Sequence, residues 1–244
     1  MQRHTGYASH LWPAWVAALL AGARTSRAST LLMAGLVLLG IALRLRQYLA
    51  NRSLWLDETL LALSFVDRGF HQLLLVPLRY NQSAPPGFIA AVGSAVAAFG
   101  SEDWALRLVP LIAGLLAVVV VALLARRELN SDAARITFAG LTALSPVLIY
   151  YSSEFKPYSS DALIALCIVT ALAYRNSRYG TWCVAAAGFF GLIFSLPAVF
   201  VAAAAGLLLL WRQFATTDTS VLSASRSPGS PARLSMVPIS GRPA

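Results

Sequence analysis

The sequence predicts an all-α protein that crosses a membrane several times. Hydrophobic residues make up 58% of the 244-residue chain and charged residues only 12%, whereas a soluble domain usually carries about 25% charged residues. The stretches 30–43 and 108–124 contain no charged residue at all. Such stretches approach the roughly 20 apolar residues that span a bilayer core of about 30 Å. Because backbone polar groups must pair internally there, we expect helices.

The net charge of +9 is explained by membrane orientation rather than by binding to nucleic acid. The arginines lie at the ends of apolar stretches and in short loops, where membrane orientation selects them. No basic stripe with interleaved aromatic residues is present, so nucleic acid is not an expected partner. Cys167 and Cys183 lie in apolar segments and predict no disulfide framework. The histidines show no metal-ligand spacing: His4, His10 and His71.

The first predicted span covers residues 28–49. Arg24 and Arg27 precede it, which favours a cytoplasmic N-terminus. A signal peptide would need a small-residue cleavage site after its apolar region. Residues 1–27 are therefore interpreted as a cytoplasmic or interfacial lead-in.

Residues 50–104 are predicted to form a first outer, periplasmic loop with two interfacial helices, over 60–76 and 85–99. A helix of 15 residues spans about 22 Å, which is short of the bilayer core. If 85–99 does not cross, Lys156 faces outward and five arginines of the later short loops face the cytoplasm, as positive-inside counting requires. Those arginines are Arg126, Arg127, Arg135, Arg175 and Arg178.

Further spans are predicted over 105–125, 134–150 and 158–174. The apolar block 181–211 is too long for one upright helix and is broken at Ser195-Leu196-Pro197, so we expect two short spans there. The transmembrane domain then covers 28–212 with about six helices. The Ser-, Pro- and Arg-rich sequence that follows predicts a disordered tail over 213–244.

On this topology the ionisable residues of interest collect on the outer side, which suggests a site because charges at membrane depth are costly to keep. They are Asp57, Glu58, Glu102, Asp103, Arg107, Glu154, Lys156 and Asp161.

The adjacent carboxylates Asp57 and Glu58 cannot share one helix face. One of them can act as a general base towards a hydroxyl while the other holds local structure. The alternative is an exposed acidic pair that caps the helix beginning near Thr59.

Two basic residues are candidates for binding a phosphate. Arg107 suits a clamp on a lipid-linked phosphate, or it extends to lipid headgroups. Lys156 could neutralise a phosphate leaving group. In the same turn, Glu154 could bind a metal or a sugar hydroxyl, and Tyr158 belongs to a binding platform or to an interfacial aromatic belt. The tripeptide at Asn51 matches a glycosylation acceptor, a pattern that often arises by chance.

Four blocks in this order resemble the GT-C-fold glycosyltransferases, in particular family-39-like bacterial relatives of protein O-mannosyltransferases and lipid A aminoarabinose transferases. The similarity covers roughly residues 30–210, the N-terminal portion of such enzymes. The blocks are 53–58 (SLWLDE), 84–88 (APPGF), 99–108 (FGSEDWALRL), and 144–146 (LSP) with 150–158 (YYSSEFKPY).

The resemblance implies a membrane glycosyltransferase in a bacterial inner membrane with its site facing the periplasm. A polyprenyl-phosphate sugar would dock from the bilayer, and Asp57 would deprotonate a hydroxyl of an acceptor glycan, lipid or protein. Attack would invert the anomeric carbon. Arg107 and Lys156 would stabilise the departing phosphate, with Glu58 as a supporting acid. Some relatives bind a divalent metal near this site and others do not, so the resemblance leaves the metal open.

The chain departs from the family pattern after residue 211, where relatives continue with more spans. The alternative to an active enzyme is therefore a truncated or non-catalytic membrane protein, or a partner subunit of this family. A transporter is a weaker interpretation, because its charges would lie in the middle of spans and here they lie near span ends.

Overall fold

A computed structural model describes residues 26–175 and 180–225, and within these ranges all regular structure is helical. The expected lead-in lies outside the described residues except for its last two positions, as do Arg178 and residues 226–244. The helices are α1 (Arg27–Leu49), α2 (Leu56–Val66), α3 (Phe70–Leu75), α4 (Pro86–Phe99), α5 (Asp103–Leu106), α6 (Leu108–Glu128), α7 (Asp132–Ala143), α8 (Pro146–Tyr151), α9 (Tyr158–Ala173), α10 (Gly180–Phe194) and α11 (Ala198–Ser225).

Two of these helices, α1 and α6, are long and apolar enough to cross a membrane. Shorter apolar helices are α4, α9, α10 and the first part of α11. The arrangement is that of a membrane helix bundle, while the expected total of about six spans stays a prediction. Helix α9 packs along α6, α10 packs on α9, and α1 packs on both α6 and α7.

Two glycines allow close approach between elements of the bundle. A Cβ at Gly40 would lie 2.9 Å from the Cβ of Ala143, and one at Gly114 would lie 2.6 Å from the Cβ of Ser152. Real Cβ atoms essentially never show such distances, so α1 meets α7, and α6 meets the turn after α8, at positions where only glycine fits.

The span expected over 134–150 is divided into α7 and α8, because Pro146 has no N–H to continue the helical ladder. The carbonyls at the end of α7 are instead bound by a side chain from α1. Arg44 donates to Ala143 O at 2.9 Å and to Thr142 O at 3.2 Å. Its side chain is only 1% exposed. Arg44 therefore acts as the C-terminal cap of α7 inside the bundle.

Substituting Arg44 by methionine is expected to lower the free energy of unfolding by about 2–3 kcal/mol, because two buried carbonyls lose charged donors. Thermal unfolding of the detergent-purified protein measures the effect. The matched control is Arg46→Met on the same helix, where the arginine is exposed and the change should be small. Equal shifts for both variants would contradict the capping role.

Residues 50–104 form a small helical layer with its own apolar core. One helix was expected over 60–76, but the chain breaks at Gly69, whose extended backbone starts α3. Helices α3 and α4 pack together, so the two segments that were expected to be interfacial are joined rather than separate. Phe155, from the turn before α9, completes the core with Leu61, Ala62, Phe65, Leu73, Phe88, Ile89, Val92 and Leu106.

The break expected at Ser195-Leu196-Pro197 is present, since α10 ends at Phe194 and α11 begins at Ala198. The loss of regular structure expected from residue 213 does not begin there, because α11 continues to Ser225. The chain divides into two compact units, up to Ala205 and from Gly206 onward. All candidate site residues lie in the first unit.

Candidate functional site

Glu58 is the centre of a buried network that joins three distant segments of the chain. Its side chain is fully buried at the third position of α2. Oε1 accepts hydrogen bonds from Arg107 Nε at 3.1 Å and from the Phe155 backbone N–H at 2.5 Å. Oε2 accepts from Arg107 Nη2 at 2.9 Å and from the Trp55 backbone N–H at 3.0 Å. The carboxylate thus fixes α2, the start of α6 and the 152–157 turn against each other.

The environment of Glu58 keeps its carboxylate ionised. Burial by itself would raise the pKa of Glu58, but the hydrogen bonds from Arg107 and from two backbone amides outweigh burial and hold this pKa below its ordinary value. A carboxylate held in this way is a poor proton acceptor. These contacts therefore favour a structural role for Glu58, the capping of α2, over its expected role as a supporting acid.

Arg107 is committed to the same network. Besides Glu58 it binds backbone carbonyls, with Nη1 2.5 Å from Arg52 O and Nη2 3.4 Å from Ser53 O. Its side chain is 2% exposed. The sequence favoured Arg107 as a phosphate clamp or as a contact to lipid headgroups. In the structure its donors face the protein interior, because a buried carboxylate and two carbonyls occupy the guanidinium fork.

Asp57 differs from its neighbour in being exposed. It lies in the first turn of α2, where the helix N-terminus favours a negative charge. The structure therefore divides the acidic pair: Glu58 points into the network and Asp57 remains accessible from outside. Glu58 thus holds local structure, and the expected role of Asp57 as a general base stays a prediction.

Lys156 lies on the wall of a cavity of about 340 Å³. Its Nζ donates to Gln82 Oε1 at 2.8 Å, which links the 152–157 turn to the segment before α4. Tyr158 and Asp161 line the same cavity. Asp57 and Glu154 are close enough to Tyr158 to act electrostatically on its hydroxyl. The exposed acid, the lysine and the tyrosine thus belong to one end of the bundle.

Glu154 is half-buried beside this cluster. Its Oε2 is buried without a hydrogen-bond partner among the described residues. Burial, and then the charge of Glu58, raise the pKa of Glu154 above its ordinary value, against smaller opposing effects of nearby cations. The direction of this shift favours the protonated carboxyl group, which donates as well as accepts a hydrogen bond, over a wider acidic range than for an ordinary glutamic acid.

Sequence reasoning missed three members of the site. Arg52, which was not among the predicted site residues, donates from Nη1 to the Tyr150 hydroxyl at 2.7 Å, and its Nη2 lies 3.9 Å from Glu58 Oε2. Gln82 pairs with Lys156, and Phe155 supplies a core side chain and the amide that binds Glu58. A cation five residues before the acidic pair was a usable signal for Arg52, whereas no local sequence pattern identifies Gln82.

The three loops that carry these residues meet at one end of the bundle. Pro85 lines the cavity with Lys156, and Arg107 binds the same carboxylate as Phe155. The segment containing α4 therefore begins and ends near the same turn, and the expectation that it does not cross the membrane stays a prediction. Among the described residues no group of three His, Cys, Asp or Glu side chains is placed to hold a metal ion.

Comparison with known families gives one match. The model of the dolichyl-phosphate-mannose-protein mannosyltransferase family matches residues 83–224. No curated protein matches the chain, and no solved structure matches it. The matched segment includes α4, Arg107, the 152–158 turn and α9 to α11. Because it covers more than half of the 244 residues, the chain belongs to the dolichyl-phosphate-mannose-protein mannosyltransferase family of integral membrane glycosyltransferases with the GT-C fold.

Proposed function

We propose that this chain transfers a sugar from a polyprenyl-phosphate donor to an acceptor hydroxyl at the non-cytoplasmic face of the membrane, with inversion. The observation that carries the proposal is the division of the acidic pair. Glu58, bound by Arg107 and Phe155, fixes the first loop to the 152–157 turn, and Asp57 is exposed and close enough to Tyr158, at the start of α9, to act electrostatically on its hydroxyl. Family membership supports the sugar-transfer chemistry.

In the proposed reaction the acceptor oxygen attacks the anomeric carbon, and Asp57 takes the hydroxyl proton as the new C–O bond forms. The bond between the anomeric carbon and the phosphate oxygen breaks, and the polyprenyl phosphate leaves with the electron pair. In this scheme Lys156 stabilises the added negative charge on that phosphate by electrostatic catalysis. Attack opposite the leaving group inverts the configuration.

Arg107 is assigned a positioning role in this scheme. Its fork holds Glu58 and the carbonyls of Arg52 and Ser53, so it fixes the backbone directly before Asp57. Phosphate binding is assigned to Lys156, which lines the cavity.

The experiment that tests the proposal is sugar transfer by the purified chain in proteoliposomes. Polyprenyl phosphate carrying a radiolabelled sugar is supplied as donor, with membrane extract as the source of acceptors. We expect label to move from the lipid to an acceptor at a rate proportional to the amount of protein. Absence of transfer from every donor offered would overturn the proposal and favour the alternative of a non-catalytic membrane protein or partner subunit.

A further inference from the structure

Arg52 carries donors that its present contacts leave unused. Its Nη1 donates to the Tyr150 hydroxyl at 2.7 Å, and its Cζ lies 4.2 Å from the centre of the Tyr150 ring. Its Nε and Nη2 are buried and have no hydrogen-bond partner within residues 26–175 and 180–225. Buried donors without an acceptor are costly. The guanidinium therefore rests on Tyr150 with two of its three nitrogens unpaired.

Glu58 does not supply the missing acceptor. Nη2 of Arg52 lies 3.9 Å from Glu58 Oε2, which is beyond hydrogen-bonding distance. The two oxygens of Glu58 already accept two hydrogen bonds from Arg107 and two from backbone amides. A carboxylate offers about four such positions. Arg52 is therefore a surplus cation beside a carboxylate whose acceptor positions are filled.

Glu154 has the opposite deficit. Its Oε2 is buried and accepts no hydrogen bond in the described part of the chain. It lies four residues after Tyr150, just beyond α8, and close enough to Arg52 for the guanidinium to favour its ionised form. A carboxyl oxygen without a donor and two guanidinium nitrogens without an acceptor thus lie in one cluster with Tyr150.

Ionisable side chains from several elements face Glu154. They are Arg52 before α2, Glu58 on α2, Arg107 before α6, Lys156 in the same turn and Tyr158 at the start of α9. Burial and the charge of Glu58 raise the pKa of Glu154, and the three cations oppose this shift with smaller effects. With its proton, Glu154 attracts Arg52 weakly. Without its proton, it offers the charged acceptor that Arg52 lacks.

We infer that Arg52 is a shared cation, which rests on Tyr150 while Glu154 carries a proton and moves to Glu154 Oε2 when that proton is lost. The exchange breaks the bond from Arg52 Nη1 to the Tyr150 hydroxyl and forms a charge-assisted hydrogen bond to the carboxylate. The backbone stays in place, because Arg107 holds the carbonyl oxygen of Arg52. Only side chains move.

A row of aromatic rings connects this exchange to the cavity. The ring centres of Tyr150 and Tyr151 lie 5.7 Å apart, and those of Tyr151 and Tyr158 lie 4.8 Å apart. Tyr158 lines the cavity beside Lys156. When Arg52 leaves Tyr150, it releases the first ring of a row that ends at the cavity wall. The effect of this release on sugar transfer rests on the proposed function, whereas the exchange itself does not.

Tyr150→Phe tests the exchange, because it removes the hydroxyl that binds Arg52 and keeps the ring. Unfolding by denaturant is measured on the full chain in detergent, at pH 4.5, the ordinary pKa of a glutamic acid, and at about pH 8. The substitution should raise the unfolding equilibrium constant about tenfold at the acidic pH and less than about twofold at the alkaline pH. In the Glu154→Gln background, where the side chain cannot ionise, the tenfold effect should appear at both.

Tyr151→Phe is the matched control for this substitution. Its ring packs between those of Tyr150 and Tyr158, and its hydroxyl makes no hydrogen bond among the described residues. Its effect on unfolding should therefore be small and equal at the two pH values.

A double-mutant cycle between positions 52 and 154 gives an independent second measurement. Arg52→Met, Glu154→Gln and the double variant are unfolded at the same two pH values. Their coupling should be near onefold at the acidic pH and about tenfold at the alkaline pH, where the two side chains pair directly. This cycle decides the matter if Tyr150→Phe fails to fold, and Tyr150→Phe decides it if a member of the cycle fails.

The inference is overturned if Tyr150→Phe has the same effect at the two pH values, or if the coupling between positions 52 and 154 does not rise with pH. Neither measurement uses a sugar donor. A chain that shows the exchange and transfers no label therefore supports the inference and removes the proposed function. A chain that transfers label while both readouts stay constant with pH keeps the function and removes the exchange.

Discussion

Replacing Glu58 by alanine is expected to lower the free energy of unfolding by about 3–5 kcal/mol, the cost of removing one partner of a buried ion pair. The substitution leaves the guanidinium of Arg107 buried without its carboxylate and removes the acceptor of the Phe155 amide. The 152–157 turn then loses its link to α2. Chemical or thermal unfolding in detergent measures the loss, and sugar transfer should fall with it.

The control for Glu58 is Asp67→Ala, which removes a carboxylate from an exposed pair with Arg79. Surface pairs contribute about 0–1 kcal/mol, so this variant should unfold close to wild type. An equal loss of stability in the two variants would show that the Glu58 network does not hold the site together.

The pH dependence of stability gives a second readout for the same residue. Because the pKa of Glu58 is depressed in the folded state, its contribution is fully present above the unfolded value of 4.5 and is lost as pH falls through the lower folded value. Glu58→Ala should therefore lose less stability than wild type as the pH falls in this acidic range.

Replacing Asp57 by asparagine is expected to reduce the rate of sugar transfer by about 100- to 10,000-fold, the usual contribution of a general base. The amide keeps the shape of the side chain and cannot take the acceptor proton. Since Asp57 is exposed and its side chain makes no hydrogen bond to another segment within the described part of the chain, the unfolding midpoint should stay near that of wild type.

The contrast between neighbours makes the Asp57 experiment specific. Asp57→Asn should lose activity without losing stability, whereas Glu58→Ala should lose both. Transfer that survives in Asp57→Asn at the wild-type rate would remove this residue from the mechanism and leave Glu154, the half-buried carboxyl group near Tyr158, as the next candidate base.

The apolar stretches of the sequence predicted the helical membrane class and, closely, the bounds of α1 and α9. In a bilayer the backbone polar groups must form hydrogen bonds within the protein, and a helix satisfies this requirement within one segment. Helix breaks at proline or glycine were less well predicted. Pro146 and Gly69 both interrupt segments that were expected to be continuous. In each case the breaking residue was visible in the sequence, but the apolar pattern on both sides favoured one helix.

The order of motifs predicted the family, and the family is confirmed. The catalytic and binding roles of Asp57, Arg107 and Lys156 stay predictions. Which carboxylate of the acidic pair is buried depends on partners 49 and 97 residues away, Arg107 and Phe155. No local pattern encodes such contacts, so Arg107 was expected to face a phosphate and instead faces Glu58.

The central claim is that the end of the bundle carrying Asp57 and Lys156 faces the non-cytoplasmic side, where a lipid-linked sugar is used. Single-cysteine labelling tests it most directly, in a background with Cys167 and Cys183 replaced by serine. Asp57→Cys and Asn130→Cys place exposed thiols at opposite ends of α6. A membrane-impermeant maleimide should label position 57 in intact cells and position 130 only after permeabilisation. Labelling of position 130 in intact cells, with position 57 protected, would contradict the account.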